Sequence, residues 1–203
     1  MGRLAFALTA MTVALVAPAG AQEAPRWQVH VNPYVGLLVF DDSELNDIGR
    51  EVNIGPLLGG RVTVPLAPAW WVEGAYGFAW LSTEASEFQG DPGEPEHDLG
   101  AHLFYAAIDY LISSRDLPTR LLLSAGAGAI VLGPEEGDRD ADLLASLGVG
   151  FIHPVSSWID FRGDVKDHIQ FCSSDPGNEF RACLDNEPLN NFEVSGGLRF
   201  RVR

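Results

Sequence analysis

Residues 190–203 read NNFEVSGGLRFRVR. Phe192, Val194, Gly196, Leu198, Phe200 and Val202 alternate with Glu193, Ser195, Gly197, Arg199, Arg201 and Arg203. A period of two marks a β-strand, whose successive side chains leave opposite faces. One face here is apolar or tiny and the other is charged or small. A soluble sheet would bury the apolar face against a second layer. The rest of the chain decides whether this face meets protein or lipid.

Seven further segments have strand character: Trp27 to Phe40, Val52 to Leu66, Ala69 to Leu81, His97 to Ile112, Arg120 to Leu132, Asp142 to Val155 and Trp158 to Phe171. Most reach the ~9–11 residues that a tilted strand needs to cross a bilayer, whereas strands of soluble sheets average ~5–6. Several alternate cleanly. Val29, Val31, Val35, Leu37 and Val39 oppose His30, Asn32 and Tyr34. Ile54, Leu58, Val62 and Val64 oppose Asn53, Arg61 and Thr63, while Trp70, Val72, Tyr76, Phe78 and Trp80 oppose Glu73. Ile159, Phe161 and Val165 oppose Asp160, Arg162 and Asp164. Full charges at mid-strand on the polar face fit a membrane barrel, whose outside is apolar and whose inside is polar. The fold expected is therefore all-β: an eight-stranded antiparallel transmembrane β-barrel of up-and-down topology. Arg61, Glu73, Asp160, Arg162, Asp164, Glu193 and Arg199 are the candidates for a charge network in its lumen. An eight-strand barrel is narrow enough for side chains to fill it, and buried charges must be paired or hydrated. Arg162 is expected to meet an acid on a neighbouring strand.

Two segments resist this reading. In LGAHLFYAAIDYLI, Asp109 shares its face with Leu103 and Tyr105, which suggests a bulge or an interfacial position. RLLLSAGAGAIVL is apolar on both faces, with Ser124, Gly126 and Gly128 as places where large neighbours could reach across the lumen. Pro33 and Pro56 lack the N–H that a ladder uses, so both are expected near a rim.

The chain opens MGRLAFALTAMTVALVAPAGAQ, with one cation at Arg3, an apolar run and Ala19-Gly20-Ala21. This is the layout of a cleaved secretory signal over 1–21, leaving 22–203 as the barrel. The net charge of -15 argues against nucleic-acid binding, because phosphates would be repelled. Connections alternate in length, long ones such as STEASEFQGDPGEPE against short ones such as AP and SS. Membrane barrels have short periplasmic turns and longer external loops, so both termini are expected in the periplasm. The four long loops, from Asp41, Glu84, Glu135 and Asp175 onward, gather 20 of the 28 acids. They read as a solvated surface, or as a divalent-cation bridge to outer-membrane lipids or lipopolysaccharide. Two aromatic belts are expected: Trp27, Trp70, Trp158, Tyr110 and Phe200 at one end, and Phe40, Trp80, Phe171 and Phe192 at the other. Cys172 and Cys183 flank ten residues of the last loop. In an exported chain they suggest one disulfide, stabilising by roughly 3 kcal/mol if unstrained.

No HExxH or GxSxG occurs, and no catalytic, cofactor-binding or metal-binding residue is assigned. GFIHPVSSW brings Ser156 and Ser157 near His153, but in a short turn.

The stretches GGRVTVPLAPAWWVEGAYGFAW, RLLLSAGAGAIVL, DLLASLGVGFIHPVSSWIDFRGDV and NNFEVSGGLRFRVR resemble hairpins of the outer-membrane beta-barrel domain family, in the group of OmpA-like and OmpW-like eight-strand barrels. The resemblance implies a place in a Gram-negative outer membrane, serving envelope integrity, adhesion or passage of small molecules; a monomer is expected, although the sequence does not give the oligomeric state. The family's terminal signature ends in an aromatic; here Phe200 is followed by Arg-Val-Arg. The leading expectation is a structural or surface-interaction role without enzymatic activity. A narrow pore and a secreted lipocalin-like ligand binder are the alternatives.

Overall fold

The computed structural model describes residues 28–40, 50–52, 54–85, 97–114, 116–134, 140–171 and 188–202. The strands are β1 (Val29–Val39), β2 (Arg50–Val52), β3 (Gly55–Ala67), β4 (Trp70–Ala85), β5 (His97–Ile112), β6 (Arg120–Pro134), β7 (Asp140–Pro154), β8 (Ile159–Phe171) and β9 (Leu189–Val202). β2 and β3 both pair with β4, and the register shifts by one residue between them, so they are two pieces of one barrel wall. Consecutive strands pair antiparallel, β9 returns to β1, and the eight-strand barrel closes. The expected fold is the observed one. Residues 1–21, read as a signal, most of the loop residues and both cysteines lie outside the described residues.

The registers set the barrel's shape. One circuit through hydrogen-bonded partners leaves Asn190, passes Ile169, Ala145, Ala127, Ala106, Gly74, Val62 and Val31, and re-enters β9 at Phe200. A stagger of ten residues over eight strands implies a tilt of about 40°. At that tilt each residue climbs the axis by about 2.5 Å, and each sideways step changes height by about 3 Å. An even stagger also keeps every inward residue in register with inward residues around the ring.

The outer surface is apolar. Val35, Leu37, Leu58, Val62, Leu123, Leu147, Val149, Val165, Val194 and Leu198 are all exposed. Two aromatic rows bracket them. Trp70, Tyr110, Phe151, Phe161 and Phe200 fall within about 5 Å of one another in height at the short-turn end. Trp80, Phe78, Phe171 and Phe192 form the long-loop row, about 20 Å higher, close to the ~25 Å apolar band of membrane barrels. Rings on adjacent strands touch, as Trp70 with Tyr110 at 4.7 Å and Phe151 with Phe161 at 5.8 Å. The solvent that fits this surface is hydrocarbon.

Several expectations change. Phe40 is buried in the lumen, so it does not belong to a belt. The Asp109 strand has no bulge: β5 pairs in unbroken register on both sides, and Leu103, Tyr105 and Asp109 all point inward. Asp140 and Asp142, counted with the loop acids, are buried inward residues of β7. Pro56 is exposed near the start of β3, in keeping with a rim position. Pro33 lies well inside β1, opposite Gly60. It is tolerated there because Asn32 Nδ2 donates to the Leu198 carbonyl at 3.1 Å, supplying beside Pro33 the donor that its ring nitrogen lacks.

Val35 lies near mid-height on the outside. Val35→Arg is expected to destabilise the bilayer-embedded barrel by about 2–4 kcal/mol, with Val35→Leu close to neutral, read from urea unfolding in lipid vesicles.

Candidate functional site in the lumen

The lumen is filled in three layers. The middle layer is ionic. β8 projects Asp160, Arg162, Asp164, Lys166 and His168 inward at successive even positions, because a strand repeats its face every two residues. Arg61 arrives from β3, Glu73 from β4, Asp109 from β5 and Glu193 from β9, and all are 0–1% exposed.

Glu73 sits at the centre. Arg162 Nη1 donates to one of its oxygens, Lys166 Nζ donates to the other at 2.9 Å, and Arg61 Nε lies 3.9 Å away. Arg61 donates through Nη1 to Asp164 at 2.8 Å and through Nη2 to Glu193 and to Ser195 Oγ. Arg162 also holds Asp164 through Nε and Nη2, and its Nη2 is 3.7 Å from Asp109. His168 Nε2 lies 3.0 Å from Glu193. Guanidinium and ammonium groups lie over rings as well: Arg61 over Tyr34 at 3.8 Å and Lys166 over Tyr105 at 4.6 Å. Gly59 and Gly77 leave room for Tyr34, since a Cβ on either would come within 3 Å of its hydroxyl.

An apolar layer fills the long-loop end: Leu38, Phe40, Leu57, Leu81, Leu99, Leu103, Ile130, Leu132, Leu144 and Leu189 pack as one cluster. A smaller cluster of Trp71, Leu111, Leu122 and Ile152 fills the short-turn end. Beside it, Arg199 binds Asp160 at 2.6 Å and lies 4.4 Å over Trp71, which stacks on His30 at 5.1 Å. Arg201 takes the second Asp160 oxygen at 2.9 Å.

All seven residues read as lumen charges thus point inward, but in two groups. Arg61, Glu73, Arg162, Asp164 and Glu193 form the central network, while Asp160 and Arg199 pair apart from it. None of the acids that Arg162 meets is on an adjacent strand: Asp164 is on β8 itself, Asp109 on β5, and Glu73 on β4, across the lumen from β8. In so narrow a barrel a long side chain reaches the opposite wall as well as its own strand. Sequence reasoning missed Lys166, His168, Asp109, Tyr34 and Trp71. The parity of β8 contained the first two. Asp109 was visible only as an apparent register fault, because its strand's inward face is mostly apolar.

Thr119 Oγ1 lies 2.8 Å from His153 Nδ1, whereas Ser156 Oγ accepts the Trp158 and Ile159 N–H groups of its turn. Among the described residues, no three of His, Cys, Asp and Glu converge to hold a metal ion.

No protein-family model and no curated protein matches the sequence. Solved structures do. Neisserial surface protein A matches with a TM-score of 0.57 at 12% identity, over 87% of this chain and 97% of that one. A major outer membrane protein of Thermus thermophilus matches at 0.53 and 15%, over 86% and 99%. The N-terminal beta-barrel domain of Pseudomonas aeruginosa OprF matches at 0.50 and 12%, over 86% and 97%. The fold is that of the eight-stranded outer-membrane barrels. At these identities the likeness is one of architecture.

Removing one partner of a buried ion cluster leaves the others unpaired. Glu73→Ala strips the shared acceptor from Arg162 and Lys166 and is expected to cost about 3–5 kcal/mol. Glu73→Gln keeps an acceptor and should cost less. Equilibrium urea unfolding of the two variants beside the parent chain checks the order.

Proposed function

We propose that the protein is a structural or surface-interaction barrel of a Gram-negative outer membrane, and that its lumen is a stabilising core rather than a conduit. The observation that carries this reading is the layered filling. A water path along the axis would have to cross two apolar clusters and the ionic layer between them. The apolar outer wall between aromatic rows supports a membrane location, and it weighs against a secreted lipocalin-like binder, whose outside would be wet.

In this reading the termini face the periplasm and the long loops face outward. The acids of those loops then form a negative surface, to which divalent cations would bridge lipopolysaccharide or other anionic headgroups. The barrel acts as a monomer and needs no cofactor.

Planar-bilayer recording tests the sealed lumen. The folded protein is expected to leave the membrane resistance unchanged at ordinary salt and voltage. Reproducible single-channel steps that scale with protein added would replace this reading with a narrow solute pore. In the encoding bacterium, loss of the chain is expected to raise sensitivity to detergents and large antibiotics without slowing uptake of small nutrients.

A further inference from the structure

Asp167 breaks the rule of the outer wall. It follows Lys166 on β8, so it points outward, in one row with Phe161, Gly163, Val165, Ile169 and Phe171. By register and tilt it lies about 3 Å deeper than Phe192, its β9 partner in the long-loop aromatic row. Its Oδ1 is shielded from solvent and has no hydrogen-bond partner. A carboxylate facing hydrocarbon costs free energy unless a donor reaches it.

Below Asp167 the wall is grooved. Gly163 and Gly196 are direct partners on β8 and β9, and the rings of Phe151 and Phe161 lean over them. The hollow beside them measures about 450 Å³, and Val149, Phe151, Phe161, Val165 and Val194 flank it. A second hollow of about 370 Å³ shares Val149 and Val165 and ends at Leu147, Phe192 and Asp167. The two run as one groove from the long-loop aromatic row toward Phe151 and Phe161 of the other. Its flanking side chains are mostly apolar, the polar residues Asp164, Ser195, Ser124 and Lys166 behind it point into the lumen, and Asp167 is the outward acid of its lining, placed where a lipid's chain joins its polar part.

We propose that this groove binds one acyl chain of a membrane lipid, and that Asp167 accepts a hydrogen bond from a hydroxyl or amide N–H near the chain's polar end. The occupant is argued from three observations together: the aromatic rows make hydrocarbon the medium, the groove runs across the band, and the unpartnered oxygen at its upper end calls for a donor rather than another acceptor. This inference rests on the membrane reading and goes beyond the structural role.

The test uses the full mature chain folded in dimyristoylphosphatidylcholine bicelles, with amide shifts followed by NMR. The probes are N-(2-hydroxyethyl)myristamide, which carries donors, and methyl myristate, which carries none. The amide is expected to shift Gly163, Val165, Asp167 and Gly196 saturably, at about tenfold lower mole fraction than the ester. Asp167→Leu should erase that preference and leave the ester's response unchanged. Gly196→Leu, where a Cβ meets only ordinary contacts, should fill the groove and abolish both responses; if it fails to fold, Asp167→Leu carries the test alone. Equal responses to the two probes, or shifts spread evenly around the wall, would overturn the proposal. So would shifts that depend on protein concentration and reflect a second copy on this face. A chain that stays soluble and monodisperse without detergent would instead remove the membrane reading beneath it.

Discussion

The structure depends on a carboxylate that cannot be left alone. Glu73 is fully enclosed and reached by three cations from two other strands. Each of those cations is itself buried, and Arg61 and Arg162 reach further acids. Removing such charges from water is costly, and only a nearly complete set of partners offsets the cost. The network therefore ties β3, β4, β8 and β9 to one another through the lumen, in addition to the hydrogen-bonded ladders along the wall. It also specifies register. A slip of one residue in any of these strands would turn its charges into hydrocarbon and its valines and leucines into the ionic layer.

The apolar layers give this arrangement its surroundings. They bracket the central ionic cluster with apolar side chains, so its ion pairs lie in surroundings of low polarity, where attraction between opposite charges is strong. A barrel with charges throughout would be hydrated and softer. A barrel with none would lack the register specificity. In this chain the boundary between layers falls within single strands: β5 carries Leu99, Leu103 and Tyr105 above Asp109 on one inward face.

That boundary explains how far the sequence could be read. The barrel, its strand count and the sidedness of β1, β3, β4, β8 and β9 were legible, because those strands set full charges against branched aliphatics. The layering of the lumen was not, because Leu57, Leu103, Ile130 and Leu144 look like lipid-facing residues until the register assigns them inward. The same ambiguity made β5 look faulty. The partner of Arg162 was legible in kind and not in place, since cross-lumen distance depends on stagger, which no local pattern records. Asp167 escaped notice for the opposite reason: in a strand already rich in charge, one more acid did not look misplaced.

The pairing of β1 with β9 joins residues from opposite ends of the described chain, such as Val29 with Val202. Every other seam joins strands that are neighbours in sequence, counting β2 and β3 as one strand. Closure is thus the most non-local contact in the molecule, and its entropy is lost late. Until it forms, β1 and β9 expose unpaired backbone edges that hydrocarbon cannot satisfy and that can recruit other chains. The β1–β9 seam is consequently where a competing strand finds its opening, and the closed ring removes that opening altogether.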